Sequence, residues 1–483
     1  MRENNLDEEL LMGRRMAVRN SSILSPGGSP FVLTYDATVA KSNRKAPTSQ
    51  LLSEDFELAP ANRKKLLSTT RDLLRNFTTA AWAIRRHLDY VTMFSFQSKT
   101  GDDLLDKDIE EFIEMTSKPE RNDALGRFSL ADMIRLAEQR RVVDGDVLLV
   151  WMADGSIQAI EGDRILTATN LPATLEKRRE EIVQGVVTDN AGRVTGYIVA
   201  RRSGKNARLE FERVVAAKNC KLFGYFDRFD QLRGVSPLAP AVNLFRDAYE
   251  GMDYALAKMK VSQLFALVAM RQNADPVGTA STTEPLEVDF GRGPVLLDFN
   301  QGDDAKFLES NSPGTSFDEY MKSVVACALK SLDIPYSAYD EAITNFSGQR
   351  SAQIQYERSA DVKRGQIRDL LDHITARRIE TGIASGELSR FNVKSLKWEW
   401  IPRGTPWVQP LQEVAADIAA ISAGLTSRER VIRERLGADA HDVFKELAHE
   451  AEQLQDLGLS PAADGLGVFM DYARASTTGD TNE

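Results

Sequence analysis

Residues 229–260 read FDQLRGVSPLAPAVNLFRDAYEGMDYALAKMK, and the spacing of the apolar residues in this stretch decides how the chain folds. Leu238, Val242, Phe245, Tyr249, Met252, Leu256 and Met259 fall at alternating steps of four and three. That repeat lays a narrow apolar stripe along a long helix and packs it lengthwise against its neighbours. Arg246, Asp247, Glu250, Asp253, Lys258 and Lys260 occupy the other faces. A helix standing in a ring of helices has this character; the core helix of an ordinary globular domain is the alternative. Just ahead of it, Gly234 and Pro237 suit a sharp turn into the helix, because proline is tolerated in a first turn.

Downstream, residues 271–284 are rich in Pro, Gly and Thr, and short extended pieces follow at 286–290 and 294–299. A second helix over 316–332 places Phe317, Tyr320, Val324, Cys327 and Ser331 on one side, and Pro335 stops it. The order is helix out, small β-containing tip, helix back. A polar loop over 339–348 then leads into a long, doubly charged helical run from about 349 to 381. After Trp398, Trp400 and three prolines, Leu411, Val414, Ala415, Ile418, Ile421 and Leu425 recur at helical spacing, and helices over 427–436 and 439–457 complete the series.

Upstream, the first sixty residues carry Ser25-Pro26-Gly27-Gly28-Ser29-Pro30 and no sustained period, which reads as an arm that orders only against a partner. From Ala61 the pattern is helical, through Leu66, Leu67, Leu73 and Leu74, with a break near Asn76. Another helix runs over 127–142. Residues 147–152 and 156–160 form a hairpin about Asp154-Gly155, and 185–188 and 194–200 a second about Asn190-Ala191-Gly192. The fold class is therefore α+β.

Chemistry narrows the function by what is missing. The 483 residues, 42% hydrophobic and 27% charged, bury a large core. The longest apolar runs, 147–152 and 264–270, fall far short of the roughly 20 residues a bilayer span needs, and the N-terminus is too acidic for a secretory leader. Synthesis in the cytoplasm and no membrane partner are expected. Cys220 and Cys327 show no CxxC spacing, and with only His87, His373, His441 and His449 they make no zinc set; both cysteines read as buried small apolar residues. Asp102-Asp103, Asp144/Asp146 and Asp303-Asp304 each supply oxygens that suit Mg²⁺, but each lies at a turn signal, where exposed acids are ordinary. No metal, no cofactor and no catalytic residue is expected. Gly204-Lys205-Asn206 lacks the spacing and hydroxyl of a P-loop, and no GxSxG occurs. A net charge of −10 opposes a protein that grips phosphates with a basic face.

An ordered series of short segments resembles the lambda-type family of phage portal proteins. It begins with Tyr35-Asp36-Ala37 and Arg71-Asp72-Leu73-Leu74-Arg75-Asn76, and continues with Asp144-Gly145-Asp146 and Ile160-Glu161-Gly162-Asp163-Arg164-Ile165. The segment Phe229-Asp230-Gln231-Leu232-Arg233-Gly234-Val235-Ser236-Pro237-Leu238 is the most specific. Leu332-Asp333-Ile334-Pro335-Tyr336 follows, then Asn345-Phe346-Ser347-Gly348-Gln349-Arg350, where the family usually has Asn-Tyr-Ser-Ser-x-Arg, and finally residues 410–418 and 424–428. Phe346 and Gly348 depart from that pattern, which removes any hydroxyl-specific role there.

The resemblance implies a closed ring of identical subunits, commonly twelve, at one vertex of the virion capsid. The ring is a channel for packaging and ejecting double-stranded DNA and a docking platform for the terminase large subunit and head–tail connector or adaptor proteins. Major capsid and scaffolding proteins are further implied partners. Mapped onto this chain, residues 1–60 are an arm, 61–235 a mixed wing, 236–270 the first stem helix and 271–315 the clip. Residues 316–335 are the second stem helix, 336–350 a channel loop, 351–404 the long wing helix and its return, 405–459 a helical crown, and 460–483 a flexible tail. An acidic ring with a few basic positions lets a duplex slide, because every neutralised phosphate adds affinity. Asn345, Ser347, Gln349 and Arg350 at the loop, and Lys363, Arg364 and Arg368 on the next helix, are candidates for such positions; pairing of the helix cations with Glu357, Asp361, Asp369 and Asp372 is the plainer reading. Leu238, Val242, Phe245, Tyr249, Met252, Leu256 and Met259 are expected at stem contacts. A structural or adaptor virion protein that lines no channel is the alternative, and a metal-dependent nuclease a more distant one.

Overall fold

The computed structural model of the chain describes residues 23–24, 30–31, 53–167, 171–177, 181–203, 208–264, 267–271, 303–307, 315–340, 346–389, 396–405, 407 and 409–456. The chain divides into two units, Met1–Glu57 and Leu58–Glu483. In the first, strands Ile23–Leu24 and Pro30–Phe31 pair antiparallel. Most of the expected arm and clip, and the whole of the expected tail, lie outside the described residues. Everything below concerns the second unit.

Pro60 presets the first turn of α1 (Pro60–Asn76), which turns Leu67, Thr70 and Leu73 inward. The chain leaves helical geometry at Phe77, φ −111°, and re-enters it as α2 (Thr78–Val91), whose inward face is Ala80, Ala81, Ala83, Ile84, His87, Leu88 and Val91. The break expected near Asn76 falls there. Strand β1 (Phe94–Ser98) leads to α3 (Asp103–Thr116). Asp102 caps α3, its carboxylate accepting from the Leu104 and Leu105 amides at 3.1 and 3.4 Å, so this acid has a local structural task. Ser129 caps α4 (Leu130–Asp144), which ends on Gly145 at φ 93°, a geometry that favours glycine.

Strands β2 (Asp146–Trp151) and β3 (Ile157–Glu161) form the first expected hairpin. Then come β4 (Ile182–Val183), β5 (Val186–Thr188), β6 (Val194–Ser203), β7 (Arg208–Ala216) and β8 (Cys220–Gly224). Sheet order is β8-β2-β3 in one sheet and β4-β5-β6-β7 in the other, so the second hairpin is the middle of a four-stranded meander. Cys220 is buried as expected, and burial pushes its thiol up to about 12.

Helix α5 (Val242–Leu264) is followed directly by β9 (Leu267–Arg271), which pairs antiparallel with β10 (Asp303–Phe307) before α6 (Thr315–Leu329) runs back. This corrects the first stem helix in two ways. It starts at Val242, after a 3-10 turn Ala239–Ala241 that holds Pro240, so Pro237 lies outside the first turn. It also ends before the apolar run 267–271, which is strand. The acids Asp303 and Asp304 open a strand and are not in a turn. In α6 the inward face is Met321, Val324, Val325, Ala328 and Leu329, while Tyr320 is 60% exposed and Cys327 is exposed. The expected stripe through Tyr320 and Cys327 is thus rotated: a seven-residue repeat drifts by about 20° per heptad on a straight helix, and α6 faces wing helices at its base as well as α5.

Helix α7 (Phe346–Ser385) has 40 residues, about 60 Å at 1.5 Å per residue. Its start replaces the end of the expected loop with helix, so Ser347, Gln349 and Arg350 are helical. Strand β11 (Trp398–Pro402) pairs antiparallel with β1, Trp400 opposite Phe96. Helices α8 (Pro410–Ser422), α9 (Arg428–Leu436) and α10 (Ala440–Asp456) answer to the three expected at the C-terminal end, α9 and α10 within a residue, while α8 stops three residues before Leu425.

The two largest buried clusters organise the helices. One gathers Leu73, Ile84, Leu88, Leu238, Val242 and Phe245 with Met321, Val325, Leu329 and Tyr356, joining α1 and α2 to α5 and α6. The other packs Ile109, Phe112, Met133, Leu149 and Phe223 around Ile367, Leu371 and Trp400. Among the described residues no helix is long and apolar enough to cross a membrane.

Candidate functional site: a wing-to-stem junction, an open stem face and the start of the long helix

Asp146 organises the junction. Its side chain is fully buried and accepts from Arg233 Nε at 2.7 Å and Nη2 at 2.9 Å, from Arg63 Nη2 at 3.0 Å and from the Gly234 amide at 2.9 Å. Arg233, equally buried, donates its remaining N–H groups to the carbonyls of Ile165 (2.6 Å), Gln184 (2.8 Å) and Gly162 (2.8 Å). Burial opposes ionisation of Asp146, but the two guanidiniums outweigh it and hold its carboxyl below the usual range. A Cβ on Gly145 would stand 2.6 Å from the Gly234 carbonyl oxygen, so the two glycine backbones touch where no side chain fits. Beside this hub, Arg71 grips Asp144 with Nε at 2.8 Å and Nη2 at 2.6 Å and reaches Asp163 at 3.1 Å. Asp144 and Asp146 are therefore interior ion-pair partners, which corrects their reading as exposed turn acids. Among the described residues no group of three His, Cys, Asp or Glu side chains could hold a metal ion.

The consequence is mechanical. The segment 229–238 follows β8, is clamped through Arg233 and Gly234 to the start of β2 and through Arg63 to α1, and then leads into α5. Ser236 adds a bond to the Val142 carbonyl at 2.6 Å.

A second buried cluster sits nearby. Glu138 of α4 accepts from His87 Nε2 at 2.8 Å and from Arg141 at 2.7 and 3.0 Å, and the Arg141 guanidinium lies between the rings of Phe223 and Tyr225 at 4.3 and 4.2 Å. Burial lowers the His87 pKa and outweighs its bond to Glu138, so the imidazole is neutral. Burial opposes ionisation of Glu138 too, but Arg141 and His87 hold its carboxyl at about 2. Both shifts make the unfolded chain bind more protons on acidification. Stability is expected to fall as pH drops below 6.5, where unfolded His87 protonates, and further from 4.5 towards 2, where Glu138 does. Thermal unfolding between pH 7 and 4 checks this: His87→Gln, which keeps a donor to Glu138, should flatten the upper step, and an unchanged step would rule His87 out as its source.

The stem helices touch at Gly251, where an added Cβ would meet Met321 Sδ at 3.1 Å. The seven stripe residues divide. Leu238, Val242 and Phe245 are in the chain's own core, Met259 is half-buried, and Tyr249, Met252 and Leu256 are 49%, 48% and 45% exposed. Tyr254, on the other flank of α5, at 73% and Tyr320 of α6 at 60% are further exposed aromatic side chains on these two helices. Tyr254 was missed in the sequence because it lies off the stripe, and Tyr320, expected on the packed side of the second helix, is instead exposed.

At the start of α7, Ser347 and Gln349 are exposed and Arg350 is half-buried, its Nη2 3.3 Å from Glu413 of α8. Glu413 also receives Arg435 of α9 at 3.0 Å, and Arg435 holds Asp417 at 3.1 Å. Asn345 lies outside the described residues. Lys363 donates to the Leu332 carbonyl at 3.0 Å and to Asp333 at 2.9 Å. Arg364 is buried, with its Nε on the Tyr90 carbonyl at 3.0 Å and Nη1 on Glu357 and Asp361 at 2.8 and 2.9 Å. Arg368 is half-buried, its Nε without a hydrogen bond. Arg350 thus stands between Gln349 on one side of the helix and Ser347 on the other, while Lys363 and Arg364 hold α7 against the Leu332 and Tyr90 carbonyls.

Comparison with known proteins gives three findings. The family model described as phage portal protein, lambda family, matches residues 44–364. A probable portal protein of Halomonas phage phiHAP-1 is 24% identical over 391 residues, 74% of this chain and 73% of that protein. Among solved structures, a chain from the virion of a native gene transfer agent particle superposes with a TM-score of 0.48 at 12% identity, covering 77% of this chain and 93% of that one. A chain from the neck of the native particle, computed with C12 symmetry, gives 0.46 at 14% identity over 77% and 93%.

Proposed function

Starting from the fact that the chain belongs to the lambda family of phage portal proteins, and so is a structural, non-enzymatic component of the virion at its portal vertex, we propose that copies of it close into a ring of about twelve around a DNA channel. The observation that carries the ring is the open stem face. Tyr249, Met252 and Leu256 share one flank of α5, and with Tyr254 on its other flank and Tyr320 of α6 they leave large apolar side chains exposed on both sides of the two helices, as a contact region requires. Neighbouring stems cover it in a closed heterologous ring, each subunit meeting the next with a different surface. The double-stranded genome passes through that ring, and the start of α7 faces the channel.

Docking follows from the same placement. The terminase large subunit and the connector or adaptor proteins engage the ring at its exposed ends, and capsid and scaffolding proteins meet the wing. The buried junction at Asp146 transmits load between wing and stem without a hinge. Deleting the gene from the phage that encodes it tests the channel: capsids are expected to assemble but to stay empty of DNA, and complementation restores filling. DNA-filled particles without the chain would overturn the reading and favour an adaptor that lines no channel.

A further inference from the structure

The first turns of α7 differ in composition from the rest of this acidic chain. Residues 346–356 include Ser347, Ser351, three glutamines and Arg350 but no carboxylate; Glu357 is the first. On one side of this face Arg86, from α2, and Arg350 converge on a cavity of about 150 Å³ also lined by Ser337, Gln349, Gln353 and Tyr356. All six bring hydrogen-bond donors, and among the described residues no Asp or Glu lines the space. Tyr356 is 4% exposed and its hydroxyl makes no hydrogen bond, a condition that calls for an acceptor. Arg86 lies 5.7 Å from the Tyr90 ring centroid, and among the described residues it has no carboxylate within ion-pair distance. On the other side Arg350 shares a groove of about 480 Å³ with Ser347, Ser351 and Arg358, and Arg358 follows about 12 Å along the helix axis at 1.5 Å per residue.

We propose that Arg86 and Arg350 clamp one backbone phosphate of duplex DNA in this cavity, with Arg358 extending the contact along the helix. The inference rests on the channel reading above and names the chemistry of its wall. Ile334, Pro335 and Ala338 form an apolar part of the wall, but the two guanidiniums and the unbonded Tyr356 hydroxyl are donors that suit a phosphodiester oxygen. Glu413 makes the contact reversible. At 3.3 Å it competes with phosphate for Arg350, so the strand is held and then released.

The test uses the assembled full-length chain and a short fluorescent duplex, with anisotropy read across a salt series. Arg86→Gln and Arg350→Gln should each weaken binding, and the two together should lower the slope of log affinity against log salt by about 0.9, the value for one phosphate contact. Arg121→Gln, which loses only its pairing with Glu387 on the wing, should leave the slope unchanged. Glu413→Gln should tighten binding, and it keeps the assembly testable if Arg350→Gln fails to fold. Inorganic phosphate at fixed ionic strength should compete with the duplex on the unaltered assembly and not on Arg86→Gln.

An unaltered slope in the double replacement, or unaltered affinity in Arg86→Gln, would overturn the proposal. So would phosphate binding that leaves duplex affinity untouched, which assigns the cavity to a free ion. Loss of assembly in Arg86→Gln would overturn it too, assigning the cavity to a carboxylate of a neighbouring subunit. Failure of the underlying ring reading looks different: the unaltered chain would form no closed assembly at all.

Discussion

Replacing Asp146 by alanine is expected to cost at least 3–5 kcal/mol, roughly the penalty for stripping one partner from a buried ion pair, because it leaves Arg63 and Arg233 buried without their carboxylate. The carbonyls around Arg233 satisfy its hydrogen bonds but not its charge. Folded domains hold only about 5–15 kcal/mol in total, so the variant should be insoluble or unfold far below the unaltered chain. Asp102→Ala is the comparison: it removes the cap on α3 and should cost about 1 kcal/mol. Thermal unfolding of both measures the difference. A loss at Asp146 no larger than at Asp102 would mean that the junction does not hold wing to stem.

Leu256→Asp, alone or with Met252→Asp, is expected to abolish the ring while leaving the fold of the single chain within about 0.5 kcal/mol of the unaltered one, the usual range for surface positions. Both side chains are nearly half exposed in the chain by itself, and covering a charge without a partner at a subunit contact costs several kcal/mol at each repeat of the ring. Phe245→Asp behaves differently. Phe245 is 3% exposed, packed in the chain's own core, so its replacement unfolds the subunit and says nothing about assembly. Sedimentation together with circular dichroism distinguishes the two cases: soluble, helical single chains for Leu256→Asp, and lost helix signal for Phe245→Asp. Intact rings from the Leu256 variant would remove the stem face from the interface.

Periodicity made much of the fold legible. The break after Asn76, the helices 410–422 and 428–436, the hairpin about Asp154-Gly155 and the long α7 follow from local spacing and turn chemistry. What the sequence did not display is long-range pairing. Phe94–Ser98 is only five residues long, and its partner Trp398–Pro402 lies some 300 positions away, so two short alternations of aromatic and polar residues have no local signal to join them. Helix α3 does carry Leu105, Ile109, Phe112 and Ile113 at helical spacing with a capping Asp102, a pattern that was readable and went unassigned.

The candidate site was legible in type more than in detail. Short acids next to glycine look like exposed turn residues, yet Asp144 and Asp146 are interior, because the arginines that neutralise them come from α1 and from the segment before the stem. Nothing local to Asp144-Gly145-Asp146 announces Arg63, Arg71 or Arg233. In the same way, Lys363 and Arg364 are charged residues on a helix with charges on several faces, and only the packed neighbours Asp333 and the Tyr90 carbonyl show that they hold α7 in place. Arg86 lies on a helix assigned to the wing and was not a candidate; its convergence with Arg350 is a property of the packing.

The most direct test is the native mass of the purified full-length chain. A closed ring of about a dozen identical copies, collapsing to single folded chains when Leu256 is replaced by Asp, is the predicted result. A chain that remains a monomer or dimer at every concentration, with Tyr249, Met252 and Leu256 still exposed, would contradict it.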